Sequence, residues 1–282
     1  MQPILLCSDL DRTLLPNGKE EESPMARPLL REIAKEDWLK LAYVSGRSQN
    51  LMAEAVQTYA LPWPDFAITD VGTMIFEPKR NCVWHKWHEA LRSDWPFGSM
   101  EDARAFGEAL ARHFPLRAQE EEKQSLYKLS FYTRPQRDES MLAQLAAFLQ
   151  EKGIFANIIF SVDTQTQEGL LDILPKKANK LFAIRFLMES IGFTKANTVF
   201  AGDSGNDLEV LASDIPSVLV ANATLEVKEE AIALAKRHGT LATLYIAKGG
   251  FFGMNGHYAA GVLEGLCYLH PEVRDYMARL LA

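Results

Sequence analysis

Cysteine is scarce in this 282-residue chain: Cys7, Cys82 and Cys267 are scattered and odd in number. That spacing excludes a disulfide framework and a paired zinc or redox motif, and fits a reducing cytoplasm. An excess of positive charge is also missing, with 30 Lys and Arg against 37 Asp and Glu and a formal net charge of -7. Non-specific nucleic-acid binding depends on cationic surface and is not expected. No long apolar stretch occurs, and the chain passes from Met1 directly into a strand-like run. Neither a membrane span nor a signal peptide is therefore expected. Repeats, coiled-coil heptads and low-complexity segments are lacking too, and nothing signals an obligate protein partner. What is present, 48% apolar and 24% charged residues, is the composition of a globular protein long enough for one large domain or two modest ones.

The first third alternates short apolar runs (4–7, 39–44, 66–69, 74–76) with helix-like segments over 26–36 and 48–59. Such alternation predicts a parallel sheet of the α/β class. From about Val83 the texture changes. Ala103, Phe106 and Leu110 form one helical stripe, residues 124–132 alternate in polarity, 141–150 is helix-like, and 155–162 and 170–174 are strand-like. The order helix, strand, helix, strand, strand predicts a small α+β unit over 85–169, inserted into a core made of 1–84 and 170–282. After Pro175 the strand–helix rhythm resumes, with a helix from Lys180, a strand over 197–201 and a final helix over 261–268. The acidic run Glu120 to Glu122 reads as a solvated loop.

Four segments carry chemistry. The first apolar run ends in Asp9-Leu10-Asp11-Arg12-Thr13. Alternation along a strand sends Asp9 and Asp11 the same way at its carboxyl end, where open α/β sheets hold ligands. Two adjacent acids repel unless a cation or a shared proton relieves them, which suits a nucleophile and a general acid/base around a metal. The second segment, Val44-Ser45-Gly46-Arg47, ends a strand and opens a helix, so Ser45 and Gly46 can offer O–H and bare N–H groups to an anion. In the third, Lys180 at a helix start is unfavourable unless an anion neutralises it, making it a better phosphate ligand than Lys176 or Lys177. The fourth, Gly202-Asp203-Ser204-Gly205-Asn206-Asp207, packs two carboxylates and an amide into a tight loop after a strand, a donor set for a hard divalent cation.

Together these segments resemble the haloacid dehalogenase superfamily of phosphohydrolases, in family order and over nearly the whole chain. The insertion is similar to the cap of the branch with a large α+β lid, and within that branch the chain resembles the sucrose-phosphate phosphatases. The stretches Tyr127-Lys128-Leu129-Ser130-Phe131-Tyr132, Leu171-Asp172-Ile173-Leu174-Pro175 and Val220-Ala221-Asn222-Ala223 carry that likeness. Two departures are visible: Leu181 stands where a glycine usually follows the motif lysine, and residues 162–170 form a longer segment than the family's short turn.

The resemblance implies a Rossmann-like core closed by a cap that reads the substrate. Asp9 would be the nucleophile, forming a phosphoaspartyl intermediate, and Asp11 the general acid/base. Mg2+ would lie on Asp9, Asp203 and the Asp11 carbonyl, with Asp207 and Asn206 supporting it. Thr13, Ser45, Gly46, Lys180 and Asn206 would hold the phosphoryl group. On the cap, the polar face of Lys128, Ser130 and Tyr132 would bond sugar hydroxyls. The expected activity is hydrolysis of a sugar phosphate, sucrose 6-phosphate first, with mannosylfructose, glycosylglycerate or hexose phosphates as rivals. A phosphomutase would carry a smaller helical cap than this insertion. A sugar-phosphate sensor without turnover would not need Asp9, Asp11, Lys180 and Asp203 together.

Overall fold

The structure, a computed structural model, describes residues 1–163 and 166–281. The chain divides into two compact units, Met1–Trp84 with Lys180–Ala282, and His85–Asn179. Five strands precede the second unit: β1 (Ile4–Ser8), β2 (Leu39–Val44), β3 (Phe66–Thr69), β4 (Met74–Glu77) and β5 (Cys82–Val83). The second unit holds β6 (Arg117–Ala118), β7 (Leu129–Thr133), β8 (Ala156–Val162) and β9 (Gly169–Pro175). The chain then returns to the first unit with β10 (Thr198–Gly202), β11 (Ser217–Leu219) and β12 (Leu244–Ile246).

In the first unit the sheet order is β12-β11-β10-β1-β2-β3-β4-β5. Neighbours are parallel from β12 to β3, and β4 and β5 close one edge antiparallel. Strands β1 and β10 are buried along their whole length, as continuous apolar runs are when helices cover both sheet faces. Leu29, Leu30 and Ile33 of the helix Ala26–Ile33 pack with Leu6, Leu41 and Val199 in one core. Each such fully buried side chain stabilises the fold by about 1.5–3 kcal/mol. The helix Ala259–Leu269 lies so close to β11 that a Cβ at Gly265 would stand 2.3 Å from the Val218 side chain.

The second unit is a four-stranded antiparallel sheet, β6-β7-β9-β8. Helices Met100–His113 and Glu139–Glu151 belong to it, capped by the side chains of Ser99 and Asp138. Leu129 and Phe131 of β7 face the first helix beside Gly107. Cross-strand register places Ser130, Asp172 and Ile159 together on the opposite face, with Tyr132, Leu170 and Ser161 in the next row.

Two sequence expectations are corrected here. The core does not resume at 170: β9 pairs with both β7 and β8, so residues 170–179 stay in the inserted unit. The alternation over 124–132 is also not all strand, since only Leu129–Thr133 joins the sheet. Tyr127 is instead buried, its hydroxyl donating to the His88 carbonyl at 3.4 Å. The acidic run Glu120 to Glu122 is exposed. The segment 162–170 connects the antiparallel neighbours β8 and β9; its Thr164 and Gln165 lie outside the described residues. Among the described residues no helix is long and apolar enough to cross a membrane.

Candidate active site

Three adjacent strands, β10, β1 and β2, end side by side, and each releases a motif residue at its carboxyl end. Asp9 follows β1, Asp203 follows β10 and Ser45 follows β2. The Asp9 N–H still donates to the Ala201 carbonyl at 2.9 Å, which carries the sheet ladder one residue further and holds the aspartate on the edge. The chain leaves β1 toward β2 on one side and returns to β10 on the other, a topological switch point of the kind that opens a ligand crevice.

Lys180, the first residue of the helix Lys180–Ser190, is 6% exposed and projects into this edge. Its ammonium lies 3.0 Å from Asp9 Oδ1 and 2.7 Å from Asp207 Oδ1, and donates to Asn206 Oδ1 at 3.3 Å. Burial alone would discharge this lysine, but the Asp207 and Asp9 carboxylates hold its pKa above the ordinary lysine value. Burial pushes the Asp9 carboxyl upward, against the pull of Lys180.

The Asp207 carboxylate is fully buried. Its Oδ2 accepts from the backbone N–H groups of Asp203 and Ser204 at 3.0 and 3.1 Å. Gly202 makes room for it, since a Cβ there would meet Asp207 Cγ at 2.5 Å. Asp207 thus shapes the loop as well as contributing charge. Asp203 receives the Thr13 hydroxyl on Oδ1 at 3.3 Å and Arg12 Nε on Oδ2 at 3.2 Å. Burial, reinforced by the Asp207 charge, nonetheless pushes the Asp203 carboxyl up to about 6. Ligand oxygens of Asp9, Asp203 and Asp207 lie within 4.8 Å of one another. Three buried carboxylates so close fit a hard divalent cation, which would remove the cost that burial imposes on them.

Two expected phosphate contacts have other partners. Thr13, fully buried, spends its hydroxyl on Asp203, because the turn after β1 faces the loop after β10. The Asn206 carbonyl oxygen is taken by Lys180 and by the Ser204 hydroxyl, which donates at 3.0 Å. Ser45 follows β2 directly, but the next helix, Gln49–Thr58, is capped by Ser48, so Ser45 and Gly46 do not open a helix as the sequence implied. Ser45 is buried and Gly46 exposed, and among the described residues no protein acceptor takes the Gly46 N–H.

Asp11 does not join the acidic cluster through its side chain. Arg47 grips it with two bonds, Nε to Oδ2 at 2.8 Å and Nη2 to Oδ1 at 2.7 Å, and Asn17 Nδ2 donates to Oδ1 at 2.7 Å. Burial would raise this carboxyl, yet the Arg47 bonds and charge hold it below the ordinary carboxylate value. Sequence reasoning passed over Arg47, Asn17, Arg12 and Asn222. The two arginines were signalled only by their places immediately after motif residues. Asn222 was signalled only by its place in a stretch that carries the family likeness: its Nδ2 donates to the Arg12 carbonyl at 2.7 Å and its Oδ1 accepts from the Tyr258 N–H at 2.8 Å.

In the second unit the polar face of β7 is less available than its alternation implies. Ser130 is 1% exposed and donates to Asp172 Oδ1 at 2.6 Å, because β9 places that carboxylate directly opposite. Ser130 is therefore a buried structural bond and not a free sugar contact. The Tyr132 hydroxyl donates to the Glu120 carboxylate at 2.9 Å, under the Arg117 guanidinium 4.2 Å from its ring centre. Lys128 has no side-chain partner among the described residues.

Known proteins resemble this chain along most of its length. A HAD-like hydrolase of Nitrosococcus oceani is 54% identical over 98% of this chain and 74% of its own length. A mannosylfructose-phosphate phosphatase of Agrobacterium fabrum is 29% identical over 94% of this chain and 97% of its own. The chain spans about half the length of the plant sucrose-phosphatases it matches. Among solved structures, a sucrose-phosphatase from Synechocystis sp. PCC6803, in complex with sucrose and phosphate, superposes with a TM-score of 0.71 at 27% identity, over 95% of this chain and 98% of that one. The Sucrose-6F-phosphate phosphohydrolase family matches residues 2–270. With nearly the whole chain inside that match, the protein belongs to this family of phosphoric monoester hydrolases within the haloacid dehalogenase superfamily.

Proposed function

We propose that this protein is a Mg2+-dependent phosphatase of the cytoplasm that hydrolyses sucrose 6-phosphate, or a close disaccharide phosphate, through a phosphoaspartyl intermediate on Asp9. One observation carries the reading: a buried carboxylate at the end of the central strand, 3.0 Å from a buried lysine and clustered with two further acids. Asp9 attacks phosphorus, the bond to the sugar oxygen breaks, and Asp11 gives that oxygen a proton. Asp11 then takes a proton from the water that cleaves the acyl phosphate. Lys180, the Gly46 N–H and the Ser45 hydroxyl stabilise charge on the transferring group. Asp9, Asp203 and the Asp11 carbonyl would hold Mg2+, with Asp207 orienting the loop, and the ion would supply charge neutralisation for the phosphoryl oxygens.

The metal leaves a signature in stability. An aspartate with a folded pKa of about 6 against ~3.9 unfolded costs nothing below about pH 4 and destabilises progressively as pH rises to about 6, by up to about 3 kcal/mol. A cation that binds the ionised form relieves that cost. Mg2+ is therefore expected to raise the Tm of chelator-treated protein more at about pH 7.5 than at about pH 5, and to restore phosphate release that the chelator abolishes. An equal Tm gain at both pH values, or full activity without metal, overturns the metal assignment.

The substrate is tested by phosphate release over a panel of sugar phosphates. A site that bonds hydroxyls rejects analogues lacking them, because its polar groups are left unpaired. Sucrose 6-phosphate is expected to exceed fructose 6-phosphate and glucose 6-phosphate in kcat/KM by more than about tenfold, ~1.4 kcal/mol. Lys128→Ala is expected to reduce that preference. Mannosylfructose phosphate belongs in the panel, since a phosphatase named for it is similar over nearly the full length of both chains. Equal rates on monosaccharide and disaccharide phosphates would leave the family standing and remove the disaccharide.

A further inference from the structure

Arg12 stands in left-handed backbone at φ 57°, a conformation that glycine and asparagine take readily and a long side chain rarely adopts. Such a residue persists only where its surroundings over-determine it. Here both peptide groups are tied: the N–H donates to Asn17 Oδ1 at 2.8 Å, and the carbonyl accepts from Asn222 Nδ2 at 2.7 Å.

The side chain is held as firmly as the backbone. Nε donates to Asp203 Oδ2 at 3.2 Å, while Nη2 donates to the Asn222 carbonyl at 3.2 Å and faces Glu20 Oε1 at 3.5 Å. Glu20 is fixed in turn, because the Tyr258 hydroxyl donates to its Oε2 at 3.0 Å. Tyr258 is fully buried, also at positive φ (51°), and its N–H donates to Asn222 Oδ1 at 2.8 Å. Two strained residues far apart in the chain therefore share one asparagine as their brace.

What the brace holds is Asp203. Arg12 bonds its Oδ2 and the Thr13 hydroxyl its Oδ1, so the carboxylate is fixed at both oxygens. A carboxylate has about four lone-pair sites, which leaves each oxygen able to accept a cation as well. A guanidinium beside a metal ligand also repels the metal, and the two effects oppose each other. The Arg12 side chain is 35% exposed and Asp203 only 4%. Water screens the repulsion, whereas it does not loosen the direction imposed on a buried carboxylate.

We propose that Arg12 is a positioning residue for the metal: braced by Asn222 and by the Tyr258–Glu20 pair, it holds the Asp203 carboxylate in the orientation that binds the divalent cation. The inference rests on the metal assignment above, in which Asp203 is a ligand. Groups bonded to ligating carboxylates typically contribute about 10–100-fold to metal affinity.

The test is Mn2+ binding to the full-length protein after metal is removed by chelator, with no substrate present. Binding is read as loss of the electron paramagnetic resonance signal of free Mn2+, an ion that takes the same oxygen ligands as Mg2+. Arg12→Gly suits the left-handed backbone and deletes the guanidinium arm, and its Kd for Mn2+ is expected to rise at least about tenfold. Arg12→Lys keeps the charge and cannot reach Asp203, Glu20 and the Asn222 carbonyl at once, so it should also bind more weakly. Tyr258→Phe, which releases Glu20, is expected to raise the Kd by about threefold or more, and serves as the test should neither Arg12 variant fold. Asp203→Asn, which removes a ligand charge, calibrates the assay. Variants that bind Mn2+ within about twofold of the parent would show that Arg12 only ties loops together. Tighter binding would show that it competes with the metal, and a lysine variant equal to the parent would leave charge, not position, as the cause. Each of these three results overturns the proposal. If the parent binds no Mn2+, or Asp203→Asn binds it as the parent does, the metal assignment fails first and takes the inference with it.

Discussion

Asp9→Asn should lower phosphate release by about 10^4-fold or more, the scale of loss seen when a nucleophile is removed from a covalent mechanism. The amide keeps the shape of the side chain and loses the charge that attacks phosphorus. Folding should survive the change, because burial already opposes ionisation of this group and Lys180 retains Asp207 at 2.7 Å. A Tm equal to or above that of the parent is the expected companion result. Turnover within about tenfold of the parent would sink the phosphoaspartyl mechanism, whatever the substrate.

Lys180→Met should damage both stability and activity. Methionine fills similar space but leaves Asp9 and Asp207 facing each other without the ammonium that lies 3.0 and 2.7 Å from them. Removing one partner of a buried ion pair costs about 3–5 kcal/mol, because the remaining charge stays buried and uncompensated. The sign with pH follows from the shifts. The folded pKa of Lys180 is raised, so the stabilisation it brings is complete at neutral pH and is lost only as pH climbs past the ordinary lysine value. In the variant, the Asp9 carboxyl, already pushed up by burial, loses the lowering pull of Lys180 and its protonation at low pH relieves part of the cost, so the stability gap should be smaller at about pH 5 than at about pH 7.5. Phosphate release should fall about 10^2–10^3-fold, as when one donor to a developing charge is removed. Denaturant midpoints that coincide with the parent at neutral pH would show that the lysine is not the counter-charge of this cluster.

Much of this architecture was legible from local pattern. A short continuous apolar run ending in two acids reads as a buried strand with its charges at the rim, and β1 is buried from Ile4 to Ser8 with Asp9 directly beyond it. The Gly202 to Asp207 loop was readable for the same reason: an apolar strand, then glycine, then acids. Periodicity also separated a strand–helix core from an α+β insertion, although it misplaced the return at 170. Which sheet a strand joins depends on partners elsewhere in the chain, and β9 pairs with β7 and β8.

What the linear pattern determined, then, is which residues stand at strand ends and which face of a strand each side chain takes, because alternation and burial act over a few neighbouring residues. Only the tertiary structure decided what those side chains meet. Ser130 lies on the polar face by parity, yet a carboxylate from β9 consumes its hydroxyl. Asp11 looked like a free acid beside a metal, yet Arg47, on the neighbouring strand's exit loop, closes a fork on it. Asn222 ties down Arg12 from 210 residues away. Hydrogen bonds and ion pairs are short-ranged, and their partners are brought within 3 Å by strand order, which no window of sequence contains.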